Sequence, residues 1–271
     1  YAFSVIGTEA EIRSVTVEEC QAFQASYYGP NNMTLIIAGD FSVAQALPII
    51  QSVLGSWAPT QVPALNISRP QKLQTAIDEV LVHPNAMPES MSWFFQAPAG
   101  RNTQANAALE IALEILGSGP NSILYKKLVD TQLATSISAD SFIQNEMGVS
   151  IISVSKVKGV NEELIKAKLE ESLQELIKGS FDPQLMKASL ARSELAMGLS
   201  FEAPEKIANF LGNSIVSLGG STKGLESYYS LFERNTEDIK KAALSFLNVQ
   251  KSVLIRLRKG PGSVPNSGGS K

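Results

Sequence analysis

The chain has 271 residues, of which 44% are hydrophobic and 18% charged, with a formal net charge of −3. That size and balance suit two globular domains with a real core, and give no electrostatic reason for a nucleic-acid or anionic-membrane partner. A single cysteine, Cys20, excludes an intrachain disulfide, and no apolar run has the length of a membrane-crossing helix.

The N-terminal stretch YAFSVIGTEAEIRS lacks the basic start and apolar core of a secretory signal. Thr16-Val-Glu-Glu19 has the pattern of a capping box, so a helix is expected from there through Phe23 to about Tyr28. Gly29-Pro30-Asn31-Asn32 breaks it, and the apolar run Met33 to Ala38 predicts a buried strand. Ser42-Val-Ala-Gln45 caps a second helix ending near Gly55. Residues 58–72 hold three prolines and no periodicity, as a linker does. Strands are expected over 75–83 and 89–97. In the second, Met91, Trp93, Phe95 and Ala97 alternate with mostly polar positions. A helix over 103–116 stops at Gly117-Ser-Gly-Pro120, and a shorter one runs from Ser122 to about Asp130. Strands near 134–143 and 148–157 precede an amphipathic helix over 161–178, with Leu169, Leu173 and Leu176 on one face. Asp182-Pro183 starts further helix reaching about Leu218, with a break at Ala203-Pro204. Thr236 opens the last helix, and residues 253–258 alternate as a half-exposed strand, which puts Arg256 and Arg258 on a solvated face. The tail from 261 is rich in turn formers.

Two segments align when the chain is shifted so that Thr16 falls on Thr236. Glu18 then falls on Asp238, Ala22 on Ala242, and Met33, Leu35 and Ile37 on Val253, Ile255 and Leu257. Both segments read as helix, turn, strand, as a duplicated domain would. Residues 73–235 precede this closing unit in the second copy and only 1–15 in the first, so the first copy reads as the remnant of a like domain.

Residues 7–41, GTEAEIRSVTVEECQAFQASYYGPNNMTLIIAGDF, and 113–139, LEILGSGPNSILYKKLVDTQLATSISA, resemble segments of the pitrilysin, insulinase and mitochondrial processing peptidase family. Residues 182–260, with long helices and the Thr-x-x-Asp-Ile start of the last one, extend the resemblance over nearly the whole chain. The resemblance implies an α+β fold of repeated α/β sandwich domains, a sheet with helices packed on it, in a clam-shell peptidase. It divides the chain into 1–57, the end of a zinc-type domain; the linker 58–72; a second, non-catalytic domain over 73–260; and the tail 261–271. The family's inverted His-x-x-Glu-His zinc motif would lie upstream and is absent from these residues.

Composition agrees that no catalytic metal is held here. Such a site needs about three ligands, mostly His, Cys, Asp or Glu, and this chain has one histidine, His83, and one cysteine, Cys20, in different predicted domains. His83, in Val-His-Pro-Asn, reads as a strand-end surface residue and Cys20 as a small packing residue. The resemblance also implies an Arg and a Tyr that hold the substrate carbonyl. The matching stretch here, Leu128 to Thr135, puts Val129 and Thr135 at those positions, and neither can do that work. No catalytic, cofactor-binding or metal-ligating residue is therefore assigned. Gly117–Pro120 lacks the lysine and hydroxyl residue of a phosphate loop. It reads instead as a break that brings the following helix toward a chamber, with Ser122 and Tyr125 as lining residues. Lys156 and Lys158 need no partner, and Glu162, Glu163, Glu170, Glu171 and Glu175 read as the polar side of a helix. Asn66-Ile-Ser68 matches a glycosylation sequon.

Two functions follow from the resemblance. In one, the chain is the C-terminal segment of a zinc metallopeptidase-like protein and forms the chamber wall opposite the zinc domain, zinc being carried by the parent protein. In the other, it is a non-catalytic scaffold subunit that pairs with an active homologue. The implied partners are a peptide substrate and the protein's own N-terminal domain or a homologous subunit, with no nucleic acid and no membrane span in this chain. The family alone favours a periplasmic or organellar location.

Overall fold

The computed structural model describes residues 6–64 and 71–260. The sequon and the tail lie outside the described residues. The chain divides into two compact units, Tyr1–Ser68 and Arg69–Lys271.

The N-terminal unit is built on capped helices. Thr8 and Glu11 form a capping box for α1 (Glu9–Ser14), a helix too short to be seen by periodicity. Thr16 and Glu19 do the same for α2 (Val17–Tyr27), and Ser42 and Gln45 for α3 (Val43–Leu54), as expected. A 3-10 turn, Pro30–Asn32, follows α2, and the Asn31 side chain clasps Thr60 by donating to its carbonyl (2.9 Å) and accepting from its N–H (3.0 Å). The apolar run 33–38 forms no strand among the described residues, which corrects the expected buried strand. Strand propensity is local, whereas a strand needs a neighbour to satisfy its backbone. None of the three helices buries a residue, and Phe23, Met33, Leu35 and Ile37 are all exposed. Cys20 is exposed as well, which corrects its reading as a packing residue.

The C-terminal unit has the expected α+β architecture. Its five-stranded sheet has the order β1-β5-β2-β4-β3, from β1 (Ile77–His83), β2 (Ser90–Ala97), β3 (Ala134–Phe142), β4 (Gly148–Lys156) and β5 (Ser252–Lys259). β1 runs parallel to β5 and the other neighbours are antiparallel. The helices α4 (Thr103–Gly117), α5 (Glu162–Lys178) and α9 (Thr236–Phe246) supply much of the core. Met91, Trp93, Phe95 and Ala97 are at most 5% exposed, so the period-2 alternation of β2 reports a sheet buried on one face. Ile152 and Val154 of β4, Leu254 of β5, and Ile165, Leu169 and Leu176 of α5 close the same core.

The helices after Asp182 depart in part from the expected run to about Leu218. α6 (Pro183–Ser200) and α7 (Pro204–Asn213) are separated near Ala203 as expected, but α7 passes into a π-helical turn, Ser214–Leu218. Gly219, at φ 82°, ends that turn, and a separate α8 (Lys223–Phe232) follows. α9 is capped by Asn235 rather than Thr236, with Asp238 completing the box. A 3-10 turn, Val249–Lys251, then leads into β5. The order helix then 3-10 turn thus recurs in the two units at corresponding positions, followed by a strand only in the second.

Candidate functional site

Three sets of residues bear on function: the ligand-capable His83 and Cys20, the helix following the Gly-Ser-Gly-Pro break, and the half-exposed face of the sheet.

His83 ends β1 on the surface, where Nδ1 accepts from the backbone N–H of Asn85 at 3.2 Å. Its carbonyl accepts from Ala86 and Gly260, so the residue organises a turn, as expected of a strand-end histidine. Cys20 sits on α2 of the other unit. Among the described residues no group of three or more His, Cys, Asp or Glu gathers where it could hold a metal ion. The donor set does not fit a hydrolytic zinc, and no catalytic step is assigned to these residues.

The segment from Ser122 closes a π-helical turn, Tyr125–Val129, not the simple α-helix expected. Ser122 is fully buried, and its hydroxyl donates to the Gly119 carbonyl at 2.8 Å. This corrects its reading as a lining residue: a hydroxyl just after a Gly-Pro break is used locally to satisfy the turn. Tyr125 is half-buried. Val129 is half-buried against the core, and Thr135, exposed on β3 beside an irregularity in the ladder, donates to the Ser155 carbonyl at 3.3 Å. Neither side chain offers a charged or phenolic donor to a ligand.

The sheet's other face is formed by residues that alternate with the core set. Phe94, Ile151 and Val253 meet across β4, β2 and β5, flanked by Ile255 and Leu257. All five are half-exposed, and Ser92 and Ser153 share a hydroxyl–hydroxyl bond of 2.9 Å between them. The flanking β1 is exposed along its whole length and pairs only with β5. At the end of β2, a cleft of about 580 Å³ is lined by Lys72, Gln96, Arg101 and Lys251.

The polar chemistry inside the fold differs from the sequence expectation at two places. Arg256 is 9% exposed, not solvated. It donates to both carboxylate oxygens of Asp78 (2.8 and 2.7 Å) and to Glu162 (3.0 Å) and Glu163 (3.1 Å). Lys156 also has partners, Glu89 at 2.8 Å and Glu162 at 3.4 Å. Glu110 of α4, which sequence reasoning missed, is a half-buried carboxylate lining a cavity among α4, α6, the π turn and α8. The available signal was a carboxylate set in the otherwise apolar run Ala107 to Leu113.

Residues 14–192 match the family model described as the peptidase M16 inactive domain. The mitochondrial presequence protease of Yarrowia lipolytica is 26% identical over 209 residues, covering 69% of this chain and 21% of that protein. Zinc protease PqqE of Helicobacter pylori is 20% identical, covering 95% of this chain and 58% of that one. This chain therefore spans about a fifth of the first relative and somewhat over half of the second. Among solved structures, a protease from Helicobacter pylori superposes with a TM-score of 0.84 at 17% identity, covering 93% of this chain and 62% of that one. A peptidase M16 inactive domain from Pseudomonas fluorescens gives 0.76 at 20% identity, covering 98% and 62%. The first half of the periplasmic protease PqqL from Escherichia coli gives 0.74 at 13% identity, covering 94% and 57%.

Proposed function

Given that this chain belongs to the family of the peptidase M16 inactive domain, we propose that it forms the non-catalytic wall of a peptide-binding chamber in a zinc protease, the metal being held outside these residues. The observation that carries the reading is the separation of the ligand-capable residues. His83 and Cys20 are both exposed and lie in different units, and among the described residues neither belongs to a cluster that fits a metal. The half-exposed sheet face around Phe94 and Ile151 supplies an apolar surface edged with hydroxyls, suited to an extended peptide of varied sequence. Tyr125 is the nearer of the two expected lining residues to solvent. The uncovered apolar side chains of the N-terminal unit support reading it as the closing part of a zinc-type domain. The second reading is a non-catalytic scaffold subunit that pairs with an active homologue; Val129 and Thr135, which supply no carbonyl-binding donor, are compatible with both readings.

A photo-crosslinking amino acid at Phe94 or Tyr125 of the complete parent protein is expected to capture a bound peptide. The same group at Gln174, exposed on α5, is expected to capture none. Equal labelling at all three positions would refute the wall. The scaffold reading predicts capture only when the active homologue is also present.

A further inference from the structure

Among the described residues, no hydrogen-bonding or ion-pairing partner reaches the Glu110 carboxylate. Its neighbours Ala107, Ala108, Leu109, Ile111 and Ala112 are at most 4% exposed. Glu114, one turn further along α4, is engaged by Arg192 of α6 at 2.7 Å, so that cation is already used. Burial, with Glu114 adding repulsion, pushes the Glu110 carboxyl up to about 7. A charge in such surroundings is unfavourable unless something neutralises it.

The cavity beside Glu110 is an open pocket of about 410 Å³, within the size range of small-ligand sites. Ser193 on α6, Ser217 on the π turn and Ser227 on α8 line it, with Met197 and Phe210 among the apolar lining residues. Among the described residues no lysine, arginine or histidine lines it, and the one other titratable group lining it is Tyr228 of α8. The π turn is an independent sign, because such turns concentrate at functional sites. It is held in place: the Ser214 hydroxyl donates to the Phe210 carbonyl at 2.9 Å. α8 packs on it so closely that a Cβ at Gly224 would collide with Ser214 Oγ and the Phe210 ring.

We propose that this cavity binds a small organic cation, an ammonium or guanidinium head on a short apolar chain, with Glu110 as its counter-ion. The lining serines offer hydroxyls that can accept its N–H groups, and Met197 and Phe210 offer apolar surface to its chain. An anion would meet an unpaired carboxylate, and an uncharged ligand would leave that carboxylate without a partner. The head can come from a free amine or from a lysine side chain of a polypeptide.

Titration calorimetry on the whole chain at pH 8 tests this with n-butylammonium, butylguanidinium and N-acetyl-lysine amide. Potassium ion and n-butanol serve as controls. Saturable binding of butylammonium or butylguanidinium is expected, weakened at least tenfold by Glu110→Gln and about tenfold on going to pH 6, where the carboxyl is mostly protonated. Ser193→Leu, which adds bulk and leaves Glu110 in place, is expected to abolish it. Binding of the lysine amide as well assigns the site to polypeptide side chains, and its absence assigns it to free amines. The proposal is overturned by no binding of either alkyl cation, by equal binding of butanol, by full competition from potassium, or by unchanged affinity in Glu110→Gln.

Discussion

Replacing Arg256 with methionine is expected to destabilise the C-terminal unit by about 3 kcal/mol, the loss typical when one member of a buried ion network is removed. The guanidinium joins three elements. It holds both oxygens of Asp78 on β1, lies on β5 itself, and reaches Glu162 and Glu163 in the first turn of α5. Glu162 keeps Arg258 and Lys156 after the change, and Asp78 is partly solvated, which places the loss at the lower end of the usual range. β1 is an edge strand paired only with β5, so it should feel the change first. The check is a shift in the denaturant midpoint with an unchanged slope, together with faster amide exchange over Ile77–His83. A loss below about 1 kcal/mol, or exchange faster elsewhere than in β1, would count against this role.

The same network sets the acid limb of stability. The Arg258 hydrogen bond, followed by the weaker opposing effect of burial and then by Arg256, brings Glu162 down to about 2, and Asp78 and Glu89 also lie below the ordinary carboxylate range. These folded-state values lie below the unfolded ones. The stabilisation is therefore complete above about pH 4.5 and is lost as the pH falls toward 2. The Arg256→Met variant should show a shallower acid limb than the parent chain.

Glu110→Gln is expected to act in the opposite direction, raising stability at pH 8 by about 3 kcal/mol and leaving it nearly unchanged at pH 4. Raising the carboxyl from 4.5 to about 7 corresponds to that free energy against the charged form. The folded value exceeds the unfolded one, so the native protein holds its proton longer. Stability should fall between about pH 4.5 and 7 and level off above. Glutamine keeps the shape and can use the neighbouring hydroxyls while removing the pH dependence. Denaturation curves at pH 4 and 8 decide it: an equal effect at both would mean that the carboxyl is well solvated.

The parts legible in the sequence are those fixed by local chemistry or strict alternation. Thr16, Ser42, Asn161 and Asp182 all cap helices, because a side-chain acceptor before a helical run has one obvious use. The Met91–Ala97 alternation gave the core face of β2, and the resemblance then implied the family and fold. Pairing across distance was not legible. Arg256 shares the buried face with Leu254 by the same alternation, but its partner Asp78 is far away in sequence, so the charge alone suggested solvent. The run 33–38 has the composition of a core strand, yet a strand is defined by its neighbours. The switch from α7 to the π turn changes hydrogen bonding without changing the apolar pattern, so the cavity beside Glu110 left no periodic trace. Ser122 was misread because a serine at a break serves a turn or a ligand equally well until its hydroxyl is seen on Gly119.

The central claim is that hydrolytic zinc is held outside these residues. Its most direct test is the metal content of the purified 271-residue chain after equilibration with buffered zinc and removal of loosely bound ion. Far less than one zinc per chain is predicted, with no cleavage of a quenched peptide. A tightly held, stoichiometric zinc that disappears on His83→Ala would contradict the account.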